Sequence, residues 1–393
     1  MTSAKPQKDW GLTAIRDRKA AMAFIDRRIE AVIDRKALRR AGLVLAPLVF
    51  ATALSGETVW PQAALVTISA FIAAERSGLA PLGVVLHGLA IAIGFIALLA
   101  SIHQPALFVF LSAAMAAASI LVTARGAELR SLGNFTFIPA LYLACEIAEQ
   151  ASPEALIDRG LHFLLFIGLA IIPVLLVSIL DHLERRRDQI TLLRHFARVV
   201  GQTASRTSVP YREAIVAVGF AVALAAALVE RYHIGHGQWV IWSAASVVTG
   251  DAASARAKLR DRVLGAVVGV PAGIALGLLL PHNRNVLELT ALLAVLTLVG
   301  FRRYTVGFGA RSACAAIAFI VIDQSIFAAG ERAANVILGG VVGIVLVLGV
   351  HGISDAYSDA RHGGWSRLRR TEPNAPFGSR RAVESQTAPF SED

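Results

Sequence analysis

Arg311 is the first residue whose placement suggests chemistry. It lies in the stretch Phe308-Gly309-Ala310-Arg311-Ser312-Ala313-Cys314, about six residues inside an apolar run over 305–322. A guanidinium at such depth in lipid is costly, so it usually faces the interior of a helix bundle. There it suits a carboxylate, which it grips through two parallel hydrogen bonds. The alternative is snorkelling: at 1.5 Å of rise per residue the depth is only about 9 Å, and a long arginine side chain recovers most of that. Asn134 stands 177 residues earlier, in the run 132–147 that also holds Thr136 and Tyr142. These three are read with Arg311 as candidate substrate-binding residues, Tyr142 offering a ring for stacking. His87 in the run 83–100 and His162 in the run 160–180 are candidates for proton coupling, because imidazole titrates near neutral pH. The plainer role for a lone intramembrane histidine is a hydrogen bond to a neighbouring helix.

Other chemistries find no support. His233-Ile234-Gly235-His236 spells a signature of class I aminoacyl-tRNA synthetases. That activity needs a nucleotide-binding α/β domain, and no such pattern is present. There is no phosphate-binding loop of Walker type, no His-Glu-x-x-His and no nucleophile elbow. No cofactor, metal or enzymatic activity is expected. Cys145 and Cys314 both lie in apolar runs, so no disulfide framework is implied.

The elements that must hold these residues are apolar runs at 42–54, 61–74, 83–100, 105–123, 132–147, 160–180, 213–229, 238–249, 263–280, 286–300, 305–322 and 332–352. The chain is 55% hydrophobic and 17% charged, against roughly 25% charged in a soluble domain. The runs are of a length to cross a hydrocarbon layer, the second and eighth being the weakest. The fold class expected is therefore an all-α polytopic membrane protein. Residues 1–41 hold 11 Lys and Arg against five acids, with Ile15, Met22, Ile25, Ile29 and Ile33 at helical spacing. This predicts a cytoplasmic amphipathic helix lying on the membrane surface. No apolar run is reached before Gly42, so no cleavable signal peptide is expected. The residues 181–212 form a basic linker, and 353–393, rich in Arg, Ser and Pro, are expected to be a largely disordered cytoplasmic tail.

Charge orients the runs. With the N-terminus inside and twelve crossings, inner connections and termini hold 33 basic residues and outer ones only Arg159, Arg231, Arg284 and Arg332. That bias is the positive-inside pattern, with both termini in the cytoplasm. The net charge of +10 then needs no nucleic acid, since anionic lipid headgroups are sufficient partners.

The two sets of six runs, 42–180 and 213–352, also match each other. Trp60 corresponds to Trp239 at an offset of 179, Gly88 to Gly265 and Arg125 to Arg302 at 177, and Asp158-Arg159 to Glu331-Arg332 at 173. Each set starts on the same side, which predicts two parallel-topology repeats of about six helices around a pseudo-two-fold axis along the membrane normal. Gly265, Gly269, Gly273 and Gly277 form a four-residue ladder, with Gly339 and Gly343 a shorter one, both suited to close helix packing.

The stretch Gln238-Trp239-Val240, Ser243 to Gly250, Arg256, Arg260 and Arg262, then Gly265, Gly269 and Gly273 resembles the fusaric acid resistance (FUSC) family, related to bacterial aromatic acid exporters. The similarity is clearest over 211–352. It implies an inner-membrane secondary transporter exporting small organic, often aromatic, carboxylates. Many members carry a sizeable soluble domain beside each membrane half, whereas here only 32 residues separate the halves. Two further readings stay open: an anion channel of the same clan, and a non-transporting scaffold that docks through 1–41 and 181–212. The expected partners are a small organic anion and the bilayer, and a second copy of the chain or an accessory periplasmic adaptor is compatible with them.

Overall fold

The structure is a computed structural model that describes residues 30–125, 129–185, 211–248, 252–323 and 325–369. It divides into two units, 1–351 and 352–393. Twelve α-helices lie among the described residues, one for each apolar run: α1 (Arg35–Ser55), α2 (Val59–Ser77), α3 (Pro81–Ser101), α4 (Pro105–Leu121), α5 (Arg130–Gln150), α6 (Leu156–Arg185), α7 (Tyr211–Tyr232), α8 (Gln238–Val247), α9 (Ala252–Leu279), α10 (Arg284–Leu296), α11 (Tyr304–Asp323) and α12 (Ile326–Arg369). Described residues of the second unit are the continuation of α12.

Local chemistry sets the ends of these helices. Proline occupies the first position of α3 and α4, where its missing N–H would have no partner anyway. Asp34 caps α1 by accepting from the Ala37 N–H at 3.0 Å, and Asn283 caps α10 by accepting from Val286 at 3.0 Å. Gly56 and Gly78 close α1 and α2 at φ 67° and 60°, a left-handed conformation that glycine takes without steric cost.

Eight of the twelve helices are long and apolar enough to cross a membrane. The others are α2, α4, α8 and α10, so both runs expected to be weakest fall in this group. α2 compensates for its lower hydropathy by burial. Ala63 to Ala73 are buried except Leu65, with α1, α3, α5, α6 and α10 packed around the helix. α8 and α10 are short, with 10 and 13 residues.

Some boundaries differ from expectation. α1 begins at Arg35 rather than 42, because its first turns carry Arg39 and Arg40, and Arg40 reaches Glu75 at 2.8 Å and Asp181 at 3.2 Å. Only residues 30–34 of the expected amphipathic segment precede it within the described part. α12 runs to Arg369, past the limit expected at 352, and residues 370–393 of the tail lie outside the described residues, as do 186–210 of the linker.

Just before α1 the chain forms an antiparallel bridge between Ile33 and Phe301. The Asp34 N–H donates to the Gly300 carbonyl and the Arg302 N–H to the Val32 carbonyl, each at 2.9 Å. The segment preceding α1 is thereby strapped to the α10–α11 connection.

α9 packs on α11 over most of its length, backbone against backbone. Methyl groups placed on Gly265, Gly269 or Gly273 would run into the backbone of Gly309 or Ala313. Gly339 and Gly343 of α12 face the carbonyls of Val240 and Ala244 on α8 in the same way. Both ladders pack helices, as the spacing predicts. Gly269→Ala should therefore destabilise the fold by about 1–3 kcal/mol, the usual cost of overpacking. Gly168→Ala, whose added methyl meets nothing within 4 Å, should be neutral or slightly stabilising. Thermal unfolding of the two purified variants in detergent checks the contrast, and equal midpoints would refute it.

Candidate functional site

α8 is where the polar and aromatic groups converge. It follows a turn in which His233 and His236 both adopt positive φ, 50° and 51°, and it ends at Val248 in an extended conformation. Within its ten residues, Trp239, Trp242 and Ser243 recur at helical spacing and reach toward α5, α9 and α12.

Arg332 of α12 is 3% exposed, and its guanidinium carbon lies 3.9 Å from the centroid of the Trp239 ring. Trp239 stacks on Trp242 at 5.0 Å and 22°, and Tyr142 of α5 meets Trp239 edge-on at 5.7 Å. The Arg332 Nε–H has no hydrogen-bond partner among the described residues. Arg262 of α9 is 4% exposed. Its Nε–H donates to the Tyr304 hydroxyl and its Nη1–H to Ser243 Oγ, both at 2.8 Å. Ser243 in turn donates to the Val336 carbonyl at 2.5 Å, tying α8 to α12. Arg311 of α11 donates from Nε to Thr297 Oγ1 at 3.1 Å. The Phe308 ring has both Arg262 and Arg311 near it, at 5.2 and 5.8 Å.

These three cations share one electrostatic neighbourhood, since Arg311, Arg262 and Tyr142 all lie within coulombic reach of Arg332. Among the described residues none of the three arginines has a carboxylate at ion-pair distance. Buried charges in proteins are ordinarily paired, because an uncompensated one costs several kcal/mol. Aromatic faces recover part of that cost through cation–π attraction. The result is a positive, ring-lined locus within the helix bundle.

The structure thus brings Arg311 and Tyr142 into one cluster. Thr136 instead meets His87, its Oγ1 lying 3.2 Å from Nδ1, across the α3–α5 contact, while also donating to the Leu132 carbonyl at 2.8 Å. Asn134 is half-buried on α5 and joins neither group. His162 stands on the exposed side of α6, edge-on to Phe166 at 5.4 Å, and makes no relay contact with His87.

Arg262 and Arg332 were not anticipated. Charge counting assigns them to an inner and an outer connection, yet both are buried within helices. The available signal was register. Arg262 precedes Gly265 by three residues and so shares the glycine face turned to α11. Arg332 lies on one helical stripe with Asn335, Gly339 and Gly343, the stripe turned to α8.

Residues 223–346 match the family model described as fusaric acid resistance protein-like. An uncharacterized protein of Haemophilus influenzae is 31% identical over 110 residues, which cover 28% of this chain and 15% of that protein's length. No solved structure matches. The matched segment, which is similar to fusaric acid resistance proteins, contains Trp239, Ser243, Arg262, Tyr304, Phe308, Arg311 and Arg332.

Proposed function

We propose that this multi-pass membrane protein is a secondary transporter that carries small organic anions, aromatic carboxylates in particular, out of the cytoplasm through the locus around α8. The observation that carries the reading is the placement of two buried guanidinium groups, Arg262 and Arg332, and the half-buried Arg311 beside aromatic rings with no acidic partner among the described residues. A carboxylate supplies the charge they lack, and Trp239 and Tyr142 offer rings on which an aromatic substrate can stack. The family match supports transport, and the cation bias of the connections supports an inner-membrane orientation with both termini in the cytoplasm.

Two parallel repeats form the frame of this reading. Contacts recur between matching helices: α3 with α5 and α9 with α11, α4 with α5 and α10 with α11, α1 with α2 and α7 with α8. Across the halves α4 meets α7, and α10 meets both α1 and α2. The chemistry is nonetheless unequal. Where the second half has Arg311 the first has Asn134, so the charge of the pathway comes from one half.

Uptake of labelled 4-hydroxybenzoate into inverted membrane vesicles tests the proposal. Arg332→Ala should lower uptake about tenfold or more, the usual value of a charge-assisted hydrogen bond. Arg332→Lys keeps the charge and should retain part of it. Uptake that is equal in all three would reject the site. A second test concerns the support of Arg262. Ser243→Ala leaves a buried N–H of that guanidinium without its acceptor and should destabilise the protein by about 1–3 kcal/mol. An unchanged unfolding midpoint would show that Ser243 does not hold Arg262.

A further inference from the structure

The turn between α7 and α8 lies directly over the Trp239–Arg332 pair and is tied to three other helices. His236 Nδ1 is 3.2 Å from Glu149 Oε2 on α5. Its ring packs against Phe319 of α11, centroids 5.2 Å apart. The Gly235 carbonyl accepts from Asn335 Nδ2 of α12 at 2.8 Å, less than one turn from Arg332. The His236 carbonyl also accepts from the Trp239 N–H at 3.1 Å, so the turn cannot move without moving the ring on which Arg332 sits.

Of these ties, the one to Glu149 depends on a proton. Neutral imidazole offers a single N–H, which falls on Nδ1 in only one tautomer. Protonated imidazole donates from both nitrogens and turns the contact into an ion pair. The surroundings favour the proton. Glu149 and Glu146 face His236 from α5 and Glu331 faces it from α12. The charged or titratable neighbours on its own element are Glu230, Arg231, Tyr232 and His233, and Arg332 lies on α12 beyond the turn.

We propose that His236 and Glu149 form a proton-operated clasp over the anion site, closed when His236 is protonated and released when it is not. Closed, it holds the α7–α8 turn on α5 and seats Trp239 beneath Arg332. Released, it frees the turn and the first residues of α8, opening that end of the pathway. The proposal rests on the organic-anion reading above and adds to it the means by which pH on one side of the membrane governs the site.

The hydrogen bond to Glu149 holds His236 above the ordinary imidazole range, burial opposes this, and the charges of Glu149, Glu331 and Glu146 reinforce it. A group whose folded value is raised contributes fully below its unfolded value near 6.5, and the contribution is lost as pH rises through the raised value. The clasp is therefore closed in acid and opens as pH rises through that raised value.

The test uses the full chain in liposomes, with two readouts over pH 6 to 9. One is hydrogen exchange across residues 233–240, corrected for intrinsic rate; the other is 4-hydroxybenzoate flux. In the unmodified protein, protection should fall several-fold as pH rises, and flux should change over the same interval. His236→Gln and Glu149→Gln should both flatten the two profiles. An exchange profile without a step, or a step that survives in His236→Gln, overturns the clasp while leaving transport intact. An exchange step with no flux of the anion at any pH overturns the transport reading and the gating role together.

Discussion

Where α9 crosses α11, glycines on one helix rest on the backbone of the other, and the polar chemistry of the second half follows from that proximity. Side chains flanking the crossing have little space between the two helices and are turned to its sides. Arg262 leaves α9 where it reaches both neighbours, donating to Ser243 on α8 and to Tyr304 at the start of α11. Arg311 leaves α11 toward α10, where Thr297 receives it. Phe308 stays beside both. A wider crossing would separate the guanidiniums from the shared ring and admit lipid or water between them.

This arrangement concentrates positive charge inside the helix bundle, where little solvent reaches it. The fold spreads the cost over hydroxyls, a carbonyl relay through Ser243 to Val336, and the faces of Trp239 and Phe308. None of those partners carries a formal negative charge. The first half solves the matching problem differently: Thr136 and His87 meet across α3 and α5, and Trp60 packs edge-on against Phe166 at 4.9 Å. Side-chain chemistry therefore differs between residues 42–180 and 213–352.

The twelve helices were legible in the sequence because each coincides with an apolar run, and hydropathy records burial in lipid or protein alike. Their ends were less so. α1 gains its first turns from cations that hydropathy reads as a terminus, whereas those cations are engaged by Glu75 and Asp181. Arg311 was visible because it sits mid-run. Arg262 and Arg332 were hidden because they sit near run ends, where counting treats every cation as part of a connection. Their burial depends on aromatic partners from helices distant in sequence, Trp239 for one and Phe308 for the other, and no local pattern encodes that pairing. Thr136 and His87 illustrate the same limit in reverse: both were singled out, but only the packing of α3 on α5 joins them to each other.

The bridge between Ile33 and Phe301 bears on how the two halves are bound into one object. Backbone pairing of this kind is indifferent to side-chain identity, so sequence can drift at both partners while the join persists. It links the very start of the first half to the middle of the second, and α4 on α7 adds a join elsewhere. The halves are interleaved, each holding part of the other. A break in the chain between 185 and 211 would leave two pieces still fastened by these contacts.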